Sequence, residues 1–323
     1  MQQLVRSLSI VAFAAVLVAF VGCAREPDTP LRIGTNVWIG GEPLYLAREL
    51  GRFEPAMVQL VEYPSASEVL RAYRNQAIDG MVISLDELFG LAADGLDPRI
   101  ITVIDVSHGA DVVVGRSGMK SMSDLKGKSI AVESGALGAF VLSRALALNG
   151  MQASDVTVVH LESNEQPSAF EKGQVDGAVT FDPYRLQFLK AGAQILFDST
   201  QIPGEIVDLI AVRASVIQKR PKAVQALLTG WFAAIDYMAR DPKDAAHRMG
   251  IRQQTSGEQF LEAQKGLHVP SRDENLKMLG GANPDLAVTG RKLKTLMLDS
   301  KLLKSDFQIE KLLAPAPLEG LSK

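Results

Sequence analysis

Residues 31–51 read Leu31-Arg32-Ile33-Gly34-Thr35-Asn36-Val37-Trp38-Ile39-Gly40-Gly41-Glu42-Pro43-Leu44-Tyr45-Leu46-Ala47-Arg48-Glu49-Leu50-Gly51. Leu31 to Val37 is a β-prone run, and Pro43 to Leu50 is helical, with proline pre-set for the first turn and Gly51 as the stop. A strand that feeds a helix through a glycine-containing turn is half of a βαβ unit, and the same alternation continues outward. Strands are expected at Met57–Tyr63, Ile78–Ile83, Arg99–Val106 and Asp111–Val114, with helices at Ser67–Gln76 and Leu85–Ala93, the latter closed by Gly95. A second series places strands at Ser129–Val132, Val156–Leu161, Val175–Phe181 and Gln194–Phe197. Its helices are Ala136–Leu148, Gln166–Lys172 and Tyr184–Ala191. Ile206–Val212 is the last strand expected. Beyond Arg213 the pattern is helical, and Val224, Leu227, Leu228, Trp231, Ile235 and Met238 form a core-facing stripe that ends at Asp241-Pro242. Alternation of this kind implies an α/β protein whose sheets are mostly parallel and flanked by helices.

The 323 residues exceed what one hydrophobic core supports, so two lobes are expected. The strands near 103–106, 111–114 and 206–212 are placed to connect them. This layout assigns residues 31–111 plus 206–323 to the first lobe, the C-terminal helices included, and residues 112–205 to the second. Ahead of the fold, a charged start (Met1, Arg6) leads into an apolar run from Leu8 to Val21 and then the single cysteine, Cys23. This order reads as a bacterial lipoprotein precursor: residues 1–22 form the signal peptide, Cys23 carries diacylglycerol, and residues 23–30 tether the body to a membrane. Phe20 stands where that pattern usually has leucine, and a conventional secretory signal or an uncleaved anchor helix are the alternatives. The expected location is the periplasm or cell surface. A net charge of −3 with no basic block argues against nucleic acid, and the chain is expected to act as a monomer.

In α/β sheets ligands gather beyond the carboxyl ends of the strands. Trp38, Gly40, Gly41 and Glu42 follow the first strand; the glycines permit close approach and Trp38 offers a flat face, unless it packs as core. Ser84-Leu85-Asp86 follows the third strand, with Ser84 as a ligand contact or simply a helix cap. Ser134-Gly135-Ala136-Leu137 opens a second-lobe helix whose free N–H groups favour an anion. Asp182 follows a later strand, Glu205 lies where the chain recrosses between lobes, and Asp105 and His108 lie near an inter-lobe strand. The same loops carry many acids: Glu42, Asp86, Glu87, Asp105, Asp111, Glu133, Asp182 and Glu205. If several line one cleft, a small organic ligand with an amine or cationic ring suits it better than bare nitrate or sulfate. The alternative is that half of them cap helices or face solvent. The four histidines have no metal-ligand spacing, and no nucleophilic triad is evident.

Leu31 to Trp38, followed by Glu42 to Gly51, resembles the opening of periplasmic solute-binding proteins of the nitrate, taurine and aliphatic-sulfonate type, which include binders of thiamine-precursor pyrimidines. Asp124-Leu125-Lys126-Gly127-Lys128 with Ser134-Gly135, and Lys172 to Ala178 with Phe181-Asp182-Pro183, are similar to that family's second lobe. The resemblance covers roughly residues 31–240. It implies a two-lobed periplasmic-binding-protein fold (type II) that closes on a small ligand and delivers it to an ABC permease and its ATPase, with no cofactor and no catalysis. The family's anion site maps onto Ser134, Gly135 and Ala136, and its first-lobe loops onto Trp38 and Ser84 to Asp86. Acids stand here where a sulfonate binder would profit from bases. Hinges are expected near 110–114 and 204–208. Two other functions are compatible with the sequence: an enzyme using an acid/base pair such as Asp182 with His108, and a sensory module that presents its ligand to a membrane receptor.

Overall fold

The computed structural model describes residues 29–133 and 135–321. The expected signal segment, Cys23, the tether up to Asp28, and Ser134 lie outside these residues. Strand β1 (Leu31–Thr35) leads through a 3₁₀ turn (Ile39–Gly41) into helix α1 (Glu42–Glu49), and β2 (Val58–Glu62) leads into α2 (Ala66–Arg74). Strand β3 (Gly80–Ser84) runs directly into α3 (Leu85–Ala93), and β4 (Pro98–Ser107) leads into β5 (Val112–Gly115). Then follow β6 (Ser129–Val132), α4 (Ala136–Leu148), β7 (Thr157–His160), α5 (Gln166–Glu171), β8 (Gly177–Thr180), α6 (Tyr184–Lys190), β9 (Gln194–Asp198) and β10 (Val207–Arg213).

The strands form two sheets, ordered β11-β4-β10-β3-β1-β2 and β7-β6-β8-β5-β9, where β11 is Leu267–His268. The expectation of mostly parallel sheets holds for only part of each. β1, β2 and β3 pair in parallel, as do β6, β7 and β8, because helical crossovers connect them. β10 is antiparallel to both β3 and β4, and β5 is antiparallel to both β8 and β9. The strands that arrive from the other half therefore run against their new neighbours. β11, which pairs with Ser107 and Val106, was not legible in a region that otherwise reads as helical, since two residues carry no period.

Beyond Arg213 the chain is helical apart from β11, beginning with α7 (Ala214–Lys219) and α8 (Pro221–Arg240). Trp231, at the centre of the predicted stripe, is fully buried, and α8 packs on α1. This apolar platform holds the first sheet fixed, so its strand ends present their loops with little freedom. Among the described residues no helix is long and apolar enough to cross a membrane.

Candidate functional site

Three strand ends meet at one edge of the first sheet. β10 begins where β3 and β4 finish, and Asp208 near its start is in register with both Ser84 and Asp105. The second sheet repeats the arrangement: Asp111 precedes β5, whose Val112 pairs with Thr180 at the end of β8, while β6 ends beside Glu133. Each crossing strand thus delivers an aspartate to the face it shares with the other sheet. Between the two faces lies a cavity of about 40 Å³, measured as the volume open to the centre of a water molecule. That is roughly three times what one buried water needs. Trp38 and Val82 from the first half, and Leu137, Val179 and Phe181 from the second, supply its apolar walls.

Trp38 serves as wall and core together. Its Nε1 donates to Asp105 Oδ2 at 3.1 Å, and its ring meets Phe181 edge-on at 5.4 Å between centroids. Gly40 serves that hydrogen bond and not a ligand: a Cβ there would fall 1.8 Å from Asp105 Oδ2 and 2.4 Å from Trp38 Nε1. Gly41 caps α1 and also lies away from the cavity.

The start of α3 is closed by its own acid, as the Ser84 N–H donates to Glu87 Oε2 at 3.2 Å. The same carboxyl group leans towards the second half, where a Cβ on Gly135 would lie 2.9 Å from Glu87 Oε1. The opening of α4, expected to attract an external anion, is therefore faced by an acid of the protein itself. Glu133 bridges the halves in the other direction. Its Oε1 accepts from Ser67 N at 2.9 Å and Ser67 Oγ at 3.0 Å, at the start of α2, and its Oε2 accepts from Ser163 Oγ.

Burial shifts several carboxyl groups around the cavity above the usual carboxylate range. Desolvation pushes Asp86 up to about 6, and pushes Asp105 and Asp111 to about 7. Glu87 rises to about 8, by desolvation and then by the charges of Asp86 and Glu133. Asp208 is raised well above its ordinary value by desolvation and then by the charges of its neighbours Asp105 and Asp111. Arg185, whose charge favours the ionised form of Asp111, is held by Asp182 and by the carbonyl of Gly109 at 3.0 Å.

The structure thus sorts the residues singled out in the sequence. Trp38, Ser84, Gly135 and Leu137 line the cavity, with Glu87, Asp111 and Glu133 from the list of loop acids. Asp105 stands behind the wall on Trp38, Asp86 is buried beside Glu87 without reaching the cavity, and Ala136 begins α4. Five expectations are corrected. Glu42 is buried against Arg252 and Gln253, since a carboxylate removed from water needs such partners. Leu85 is core, and His108 is exposed, its backbone N–H donating to Gly266 O. Asp182 is paired with Arg185, so the imagined Asp182–His108 acid/base pair has no place in the cavity. Glu205 is paired with Arg144 at 2.6 Å. The sequence reading missed Asp208, Gln166 and Asn36. For Asp208 the signal was present: it is a lone acid inside the otherwise apolar strand Ile206–Val212. Among the described residues no group of three His, Cys, Asp or Glu side chains is placed to hold a metal ion.

Two sheet-centred halves that meet over an enclosed cavity define the class of this molecule: a two-lobed periplasmic-binding-protein fold. The alkanesulfonate-binding protein SsuA of Xanthomonas axonopodis pv. citri, solved bound to MOPS, superposes with a TM-score of 0.74 at 21% identity, covering 91% of this chain and 99% of that one. Within the class, the chain belongs to the NMT1-like family, whose pattern matches residues 24–251. A putative aliphatic sulfonates-binding protein of Bacillus subtilis is 29% identical over 258 residues, 73% of this chain and 76% of the relative. One of the same description from Escherichia coli K12 is 28% identical over 205 residues, 61% of this chain. That match spans 64% of the Escherichia coli protein, under two thirds of its length.

Proposed function

We propose that the chain is the extracytoplasmic substrate-binding component of an ABC importer, a non-catalytic clamp that captures a small polar organic molecule between two lobes and presents it to a membrane permease and its ATPase. The observation that carries this reading is the enclosed cavity itself, whose walls come from both sheets. A guest there touches both halves at once, so it binds the closed arrangement better than an open one, which is what drives closure. The lobes divide at 111/112 and 205/206, with hinges near 110–114 and 204–208. Ligand contacts come from Trp38, Ser84, Gly135 and Leu137, and Cys23 is the lipid anchor that keeps the clamp beside its permease. Similarity to proteins described as aliphatic sulfonates-binding supports the transport role. The ligand does not carry over with it. Four acids line this cavity, and each one that is ionised repels a sulfonate about 5 Å away by roughly 3 kcal/mol at an effective dielectric of 20.

The test starts with native mass spectrometry of the gently purified protein to find the molecule it holds. Cells lacking the chain should then lose uptake of that molecule at low external concentration. Unchanged uptake contradicts the importer reading, and recovery of the molecule in a chemically altered form after long incubation points to an enzyme.

A further inference from the structure

Oxygen acceptors dominate the polar atoms around the cavity, with the Ser84 hydroxyl, buried and unpartnered among the described residues, and the Asn36 amide beside them. Asp111 Oδ2 and Gln166 Oε1 are buried without a hydrogen-bond partner among the described residues, and both side chains line the cavity at 2% and 1% exposure. The Gln166 amide is oriented by its own Nε2, which donates to the carbonyl of Leu161 at 3.2 Å and leaves the oxygen as the free end. The Gln166 oxygen is therefore an acceptor, and Asp111 Oδ2 is one whenever its carboxyl is ionised. Glu87, Glu133 and Asp208 add carboxyl groups, and no Lys, Arg or His lines the cavity among the described residues. A buried acceptor without a donor is costly, and the cost is relieved when a guest supplies the missing N–H. Trp38, Phe181, Leu137, Val82 and Val179 make most of the remaining wall apolar, and the Ser84 hydroxyl and Asn36 add its other polar groups.

We propose that the guest is a small organic cation, an ammonium or amidinium group on a compact apolar frame, whose N–H groups are received by Asp111 and Gln166 and whose charge is met by Glu87 and Asp208. This rests on the reading of the chain as a binding protein and names its ligand class. The acid cluster that meets the cation comprises Asp86 and Glu87 on α3, Asp105 on β4, Asp111 before β5, Glu133 after β6 and Asp208 on β10. Arg185 on α6 is the cation whose charge acts on Asp111, and it is already engaged by Asp182. With no charge in the cavity, burial raises Asp86, Glu87, Asp105 and Asp111 to between about 6 and 8. A bound cation favours the ionised carboxylates and expels protons, so affinity for it rises from pH 6 to pH 8.

The experiment uses the full chain freed of small molecules and a matched set of probes: methylammonium, butylammonium, benzylammonium and benzamidinium, with benzyl alcohol and butanesulfonate beside them. The expected result is that at least one ammonium or amidinium probe raises the melting temperature, more at pH 8 than at pH 6, while the alcohol and the sulfonate do not. Asp111→Asn weakens binding of that probe about 10- to 100-fold. Gln166→Leu, which leaves the acid cluster untouched, weakens it by a smaller factor and keeps the pH dependence. Stabilisation by butanesulfonate or benzyl alcohol equal to that by the cations overturns the proposal, as does silence from the whole cationic series. Either result leaves the importer reading to the uptake experiment, which does not depend on these probes.

Discussion

Two helix starts face each other across the cavity, and they are filled in opposite ways. α3 follows β3 with Ser84 as its cap and has Asp86 and Glu87 in its first turn. α4 follows β6 with Gly135 as its cap, no side-chain cap hydrogen bond and no acid in its first turn. Both have the positive end that a helix offers an anion. The first satisfies it internally, and the surplus oxygen of Glu87 reaches across to Gly135 at the opening of the second. One topology, repeated in two sheets, thus gives an acidic face and a face closed by that acid. A likeness of fold to sulfonate-binding proteins therefore does not carry their ligand with it.

The contrast can be broken first at Glu133, where the second half takes hold of the start of α2. Glu133→Ala removes the acceptor of Ser67 N, Ser67 Oγ and Ser163 Oγ. It should cost about 3 kcal/mol, read as a lowered urea midpoint, and should expand the unliganded protein. A midpoint within error of the parent would remove the bridge from the account.

The acidic face also sets a sign for pH dependence. Asp86, Glu87, Asp105 and Asp111 have folded values raised to between about 6 and 8, against unfolded values near 4. Their protonated forms stabilise the fold fully below about pH 4, and that contribution is lost as pH rises through the folded values. The unliganded protein should therefore melt at least about 5 °C lower at pH 8 than at pH 5, and Glu87→Gln should flatten the slope. Asp176, just before β8 of the second sheet, provides the opposite case. Hydrogen bonds from Ser129 N and Oγ, each 3.0 Å, hold its carboxyl below the usual range. Its contribution is present above pH 4 and is lost in acid, so Asp176→Asn destabilises at pH 7 and is nearly neutral at pH 2.

Smaller effects sharpen the comparison of the helix starts. Glu87→Ala removes half of the cap of α3, about 1 kcal/mol, and uncovers the opening of α4. Sulfate or butanesulfonate should then stabilise the variant where they leave the parent unchanged. Ser67→Ala deletes one of the two donors to Glu133 Oε1 and keeps the backbone N–H, so less than about 1 kcal/mol is expected.

Much of this was legible in the sequence because the fold repeats a local code. Strand, glycine turn and helix recur often enough that α3 and α4 were bounded to the residue, and α8 was found from the spacing of Val224 to Met238. The pairing of distant strands was not legible. Nothing local in Ile206–Val212 says that it inserts between β3 and β4, and only that insertion sets Asp208 beside Ser84 and Asp105. Glu42, Asp182 and Glu205 likewise read as cavity acids. Glu42 and Glu205 pair with the distant Arg252 and Arg144, which loop composition does not reveal, whereas the partner of Asp182, Arg185, lies three residues on at the same helix start and was legible.

The claim beneath all of this is that the two halves shut around a guest held between them. Small-angle X-ray scattering on protein unfolded in urea, dialysed free of small molecules and refolded tests it directly, before and after adding back the released molecule. The account predicts a smaller radius of gyration at saturation. An unchanged radius with the molecule demonstrably bound would contradict it.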